Sequence, residues 1–331
     1  SYLAHLVWLK TSFSFRFVIY CILYDYDLTT NSKTLITHLS KRSSYVEFLK
    51  NYIINNNFSP NTLATIIERR RSIYEILSFI FQFLKNSKYD KDLTYFEMIA
   101  VSFLITYGLI TIKNLEAKKM HCENYFALNS SYLFESFLTY YFRKRQVKTF
   151  SFSHALYYKY KNEIPFDVIN YENICAENLL CWGDHSIDEI KNEIPSGVNL
   201  IKDSYPYDFS VKEGRLISDK VLIILPRDIY FKEIVDLLNI IKLSKNSYIV
   251  RPHPSLYSQI KKIISNISNM ELDRNEELNE TLSSAKYSYC LGFNSTALLE
   301  AALYEQKIVQ YISGNDEFII SSVDNFSNLN E

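Results

Sequence analysis

The sequence predicts an α/β protein of two doubly wound domains with a cleft between them, the first enriched in helices. Three observations predict it. Strand-like and helical segments alternate from about residue 119 to the C-terminus. With 331 residues, 47% of them hydrophobic, the chain suffices for two cores of ordinary size. The apolar strand-like segments also end repeatedly in polar residues, and open α/β sheets present their ligand-binding groups at that carboxyl edge.

Residues 1–118 show helical spacing and few strand signals. Ser59-Pro60-Asn61-Thr62 has the side chains of a helix start. The helix expected from there carries Leu63, Ile66, Ile67, Ile73, Ile76, Leu77 and Ile80 inward, with Glu68, Arg69, Arg70 and Arg71 as a solvated face. After Lys119 a βαβ unit is expected: strand 125–128, helix 130–145 and strand 147–153, followed by strand 178–182 and helix 186–193. Residues 196–219, with Gly197, Pro206 and Gly214, read as the link between domains. Beyond them the alternation is strand 220–225, helix 230–244, strand 248–251, helix 256–267, strand 287–291, helix 295–304 and strand 307–311. The domains expected are therefore 1–205, helical to 118 and α/β from 119, and 206–331.

Composition narrows the function classes. A net charge of −1 and a pI near 6.6 give no field to hold a polyanion, so nucleic acid is not an expected partner. Five cysteines without CxxC spacing fit neither a disulfide framework nor a zinc site, and point to a reducing cytoplasm. The chain starts with Ser rather than Met, which leaves an earlier segment open; the residues present carry no signal-peptide pattern. The apolar runs 17–24 and 99–112 are short of the roughly 20 residues a membrane span needs and read as buried helices. Peripheral association with the inner face of the membrane stays open, as does oligomeric state. Six glycines form no GxGxxG and no P-loop, and a GxSxG elbow is missing, which disfavours NAD-dependent dehydrogenases, Walker-type NTPases and α/β-hydrolases. Asp25-Tyr26-Asp27 matches a loose DxD spacing but falls in the helical region, and no metal or other cofactor is expected.

The residues with chemistry sit at strand ends. Arg227 follows the first strand of the second domain, Arg251-Pro252-His253-Pro254 the second, and Asn294-Ser295-Thr296 the third. Two prolines flanking His253 stiffen its turn. A helix beginning at Asn294-Ser295-Thr296 offers free N–H groups and hydroxyls to an anion. Either hydroxyl alone would read as an N-cap, and His253 alone as a structural histidine; their joint placement favours a phosphate site. Glu300, one turn further, could accept ribose hydroxyls. In the first domain His154 ends a strand and suits a general base, with Asp184 and His185 as the other candidates to serve as the base or orient it.

The ordered segments SFSHALYY (151–158), LLCWGDHSIDEI (179–190), IVRPHPS (249–255) and LGFNSTALLEAALYEQKIVQY (291–311) resemble bacterial surface-polysaccharide glycosyltransferases of the GT-B fold, over about residues 121–315. Sialyl- and polysialyltransferases, Kdo transferases of capsule export and teichoic-acid polyol-phosphate polymerases share versions of the last two segments. The resemblance implies two Rossmann-like domains, a nucleotide-sugar donor and a saccharide acceptor. It further implies that His253 contacts the donor phosphates, that Ser295 and Thr296 hold the phosphate or nucleotide, and that His154 lies near the acceptor. CMP- or CDP-activated donors accompany these motifs, with CMP-sialic acid foremost. A CDP-polyol phosphotransferase and an inactive glycan-binding scaffold are the alternatives. The chain departs from the family pattern in lacking Gln and Gly around His154 and the acidic Asp-Asp-Gly or Glu-Asp-Gly motif.

Overall fold

The computed structural model describes residues 14–29, 32–38, 43–86, 95–153, 168–203, 215–275, 277–314 and 324–326. They divide into two compact units, one holding the described residues up to 203 and the other those from 215 onward. Each has its own parallel sheet.

The first unit runs α1 (Ser14–Leu23), β1 (Tyr24–Thr29), β2 (Thr34–Thr37), α2 (Ser43–Asn55), β3 (Thr65–Arg70), α3 (Ile73–Asn86), α4 (Tyr95–Ala117), β4 (Asn124–Ala127), α5 (Leu133–Arg143), β5 (Lys148–Phe152), α6 (Val168–Glu172), β6 (Asn178–Cys181), α7 (Asp184–Ile190) and β7 (Asn199–Lys202). Its five-stranded sheet has the order β2-β4-β5-β6-β7, all parallel. The two-residue period of a strand separates two cores. Leu35, Tyr125 and Ala127 pack under the layer of α1, α3, α4 and α5. Ile36, Phe126, Phe152 and Leu180 point to the other face, where Phe48, Leu49 and Ile53 of α2 cover them.

The helical reading of residues 1–118 is corrected here: the described residues among them include three strands. Ser59-Pro60-Asn61-Thr62 makes one 3-10 turn, capped by Ser59, and the chain leaves it in extended conformation at Leu63. The β-branched run Thr65-Ile66-Ile67 continues into β3, antiparallel to β1. The helix starts later, at a reciprocal capping box: Glu75 N–H donates to Ser72 Oγ (3.4 Å) and Ser72 N–H donates to Glu75 Oε2 (2.7 Å). Because the register breaks there, Ile67, Ile73, Leu77 and Ile80 are exposed rather than inward. Arg71 is not on a solvated face either; it is buried against Asp25 of β1 at 3.2 Å. Asp25-Tyr26-Asp27 thus lies in a strand, its two carboxylates paired with Arg71 and Lys118. Part of the expected link, residues 199–202, is the edge strand β7.

The second unit runs β8 (Leu216–Ile217), β9 (Val221–Ile224), α8 (Phe231–Ile241), β10 (Tyr248–Arg251), α9 (Tyr257–Ile264), β11 (Met270–Leu272), α10 (Leu278–Ser284), β12 (Ala285–Lys286), β13 (Tyr289–Gly292), α11 (Ala297–Leu303), β14 (Ile308–Tyr311) and β15 (Asp324–Phe326). Its sheet is fully parallel with the order β11-β10-β9-β13-β14-β15. Numbered within the sheet, that is 3-2-1-4-5-6, the doubly wound order that reverses direction between β9 and β13. Helices α8 and α9 pack on one face, over Val221, Ile223, Val250 and Leu291. Helices α10 and α11 pack on the other, over Leu222, Ile224 and Cys290. The reversal needs close backbones: a Cβ on Gly292 would stand 2.8 Å from the Ile224 carbonyl oxygen of β9. Only glycine fits there without a shift.

Candidate functional site

At the carboxyl edge of the second sheet, the strands that end side by side are β10, β9 and β13. They deliver His253, Arg227 and Asn294 respectively, so residues far apart in sequence share one edge at the switch point, where such sheets bind ligands.

Each is held by local structure. Asn294 is buried and has φ of 45°, a left-handed conformation that Asn tolerates better than most residues. It turns the chain sharply out of β13, so that the Ser295 carbonyl already accepts from Leu298 N–H at 3.1 Å and a helical turn starts at once. Thr296 occupies the N-cap of α11 but makes no side-chain capping bond, so its hydroxyl is not consumed in starting the helix. His253 does cap: its Nδ1 accepts from Ser255 N–H at 3.3 Å and lies 2.9 Å from Ser255 Oγ, on the 3-10 turn Pro254–Leu256. An Nδ1 that accepts leaves the ring proton on Nε2, at the far side of the imidazole. Pro254, one of the expected donor-side residues, is the first residue of that turn and exposed. Arg227 is the N-cap of the 3-10 turn Asp228–Tyr230 and half-buried.

Arg251, expected on the donor side, has one guanidinium nitrogen engaged within the unit. Its Nη1 lies 2.5 Å from Asp273 Oδ2, 3.1 Å from the Asn275 carbonyl and 3.2 Å from Thr281 Oγ1. Thr281 Oγ1 in turn donates to Asp273 Oδ2 at 2.6 Å. The guanidinium is therefore tied to a buried carboxylate and braces β10 against the loop after β11 and helix α10. Glu300, one turn into α11, has its carboxyl pushed up to about 7 by burial, with the positive charge of Arg251 pulling the other way. A carboxyl near its midpoint at neutral pH can accept or donate to a hydroxyl.

In the first unit the expected catalytic residues are less gathered. His154 lies outside the described residues, and for His185 only the backbone is described, in the first turn of α7. Asp184 opens α7 at the end of β6, preceded by Gly183 at φ of 104°, and its exposed carboxylate is ion-paired with Lys202 at the end of β7. Sequence reasoning missed Glu135. It sits at the third position of α5, fully buried beside the ends of β2 and β4. It accepts from Leu128 N–H (3.0 Å), Asn129 N–H (3.3 Å) and Thr37 Oγ1 (3.1 Å), and Thr37 Oγ1 meets the Tyr125 hydroxyl at 2.7 Å. Burial pushes its carboxyl up to about 8 against those three donors. The signal in the sequence was a single acid, Glu135, in the otherwise uncharged first turns of LFESFLTYYF (133–142). Asp273, Asn275 and Thr281 had none.

No protein-family model matches the chain, and no curated protein matches it either. Solved structures do. The UDP-N-acetylglucosamine 2-epimerase from Rickettsia bellii aligns over 85% of this chain and 79% of its own, at 12% identity and a TM-score of 0.46. The lipopolysaccharide outer core galactosyltransferase WaaB aligns over 85% and 80%, at 11% identity and 0.46. TarM of S. aureus aligns over 68% of this chain at 12% identity and 0.47, and the chain spans only 49% of TarM. What the two sheets themselves give is two α/β units in succession, each built on a parallel sheet, as in the GT-B fold: the second has the doubly wound order 3-2-1-4-5-6, and the first runs in chain order without a reversal.

Proposed function

We propose that the chain is a glycosyltransferase, moving a sugar from a nucleotide-activated donor to a hydroxyl of a bacterial surface glycan. The observation that carries this reading is the switch point between β9 and β13, flanked by Arg227, His253 and Asn294-Ser295-Thr296. The ordered motifs shared with surface-polysaccharide enzymes make a CMP-sugar, such as CMP-sialic acid, the donor of choice.

In this reading the donor phosphates lie over the first turn at Ser295 and Thr296, whose amides and uncommitted Thr296 hydroxyl face developing negative charge. His253 donates from Nε2, held in that tautomer by Ser255. Arg227 adds charge from the end of β9. Arg251 acts through Asp273 and Thr281 to position β10, and Glu300 takes the ribose hydroxyls. The acceptor oxygen attacks the anomeric carbon while a base of the first unit, His154, Asp184 or His185, removes its proton. The bond from that carbon to the phosphate oxygen breaks, with inversion, and the electron pair leaves on the nucleotide. Fixed donors at the phosphate would do the work of a metal ion.

Titration with CMP, CDP and UDP, followed by turnover of the matching activated donors in the presence of chelator, tests the reading. Binding of CMP, together with loss of transfer in a folded His253→Ala variant, supports it. Consumption of CDP-glycerol or CDP-ribitol alone would replace it with polyol-phosphate transfer. No binding of any nucleotide would leave a glycan-binding scaffold and overturn it.

A further inference from the structure

We propose that α3 is a docking helix whose outward stripe lies on an anionic lipid surface. Phe79 and Phe83 of this helix pack inward against Phe103 of α4. On the other side Ile73, Tyr74, Leu77, Ile80, Phe81 and Leu84 are between 40% and 86% exposed. Their spacing lines them up along a helix of 14 residues, about 21 Å long. Six large apolar side chains in one stripe exceed the scattered hydrophobics of an ordinary surface. Helix α4, packed beside α3, adds exposed Ile105 and Leu109. Among the described residues no helix is long and apolar enough to cross a membrane, so the stripe would lie in the interface rather than span it.

The charges of this layer decide the occupant. Glu75, the one acid of α3, is held by Arg69 at 2.7 Å and by Ser72 N–H, which keeps its carboxyl down at about 2. Glu116 of α4 is paired with Arg145. Among the described side chains Arg70, Lys85 and Lys113 are left as exposed cations, against the exposed acid Glu68. A second copy related by a two-fold axis would bring cationic helix ends together, with the one carboxylate of α3, Glu75, already held by Arg69. Anionic headgroups answer all three, while the apolar stripe enters the acyl boundary.

Flotation of the full chain with vesicles of phosphatidylcholine and phosphatidylglycerol, compared with phosphatidylcholine alone, tests this. Binding should favour the anionic vesicles, weaken with salt, and fall by about tenfold or more in the double variant Leu77→Glu, Phe81→Glu. These side chains are exposed, so the variant should keep the wild-type melting temperature. Equal flotation of variant and wild type, or no flotation of either, would overturn the proposal. So would light scattering that finds a dimer which the same substitutions dissociate. The nucleotide site takes no part, so unchanged CMP titration of the variant separates failure here from failure of the proposed function.

Discussion

At the scale of single residues, His253 joins two roles that substitution can part. Its Nδ1 caps a turn, and its Nε2 is the group assigned to phosphate. Alanine removes both, at a cost of about 1 kcal/mol for the cap. Asparagine is among the best capping residues yet cannot reach as far. His253→Asn should therefore melt like wild type while nucleotide affinity, read by calorimetric titration, falls about tenfold. Wild-type affinity in that variant would reduce His253 to a capping residue. Glu135 and Glu300 make a second prediction. Both have carboxyls raised from the ordinary 4.5, to about 8 and about 7, by burial. Between pH 4.5 and 8 the unfolded chain holds fewer protons at these sites than the folded one, so stability falls as pH rises. Melting temperature should drop from pH 5 to pH 8, and Glu135→Gln, which stays neutral, should flatten the slope. A profile unchanged by that substitution would mean that Glu135 is ionised throughout.

At the scale of elements, the crossing of β9 and β13 rests on one missing side chain. Gly292→Ala would place a methyl 2.8 Å from the Ile224 carbonyl oxygen, and neither strand can move without disturbing both cores of the unit. A loss of about 1–3 kcal/mol is expected, measured as a lower denaturant midpoint with unchanged slope. Because the same contact sets the spacing of Arg227 and Asn294, nucleotide affinity should weaken with it. The start of α3 shows how local chemistry sets an element's boundary. Ser72 and Glu75 close a capping box, and the residues before it, free of helical hydrogen bonds, pair as β3 with β1. Arg71, between strand and helix, turns inward to Asp25 and also donates from Nε to the Tyr24 carbonyl at 3.2 Å.

At the scale of the whole molecule, each unit has its own sheet and its own cores, on both faces of that sheet. Units of this kind unfold in separable steps. Calorimetry should resolve two transitions, of which only the one from the second unit shifts upward with nucleotide, by about 2.7 kcal/mol at a hundredfold excess over Kd. A shift of both would place nucleotide contacts in the first unit as well.

Much of the second unit was legible in the sequence. Its buried parallel strands are short apolar runs such as Val221–Ile224 and Tyr248–Arg251, bounded by polar residues, and their ends already named Arg227, His253 and Asn294. The first 118 residues were legible only in part, because Ile66, Ile67, Ile73 and Leu77 satisfy a helical period even though a strand and a helix share them. What the sequence by itself determined was local: where apolar runs stop, which turns prolines stiffen, and where polar groups are delivered. Tertiary structure alone decided that β9 lies between β10 and β13, that Arg251 is spent on Asp273 and Thr281, 22 and 30 residues away, and that Glu135 is buried. The reason is physical: strand order and buried charge pairing depend on contacts between distant segments, whose free energy no local window of residues contains.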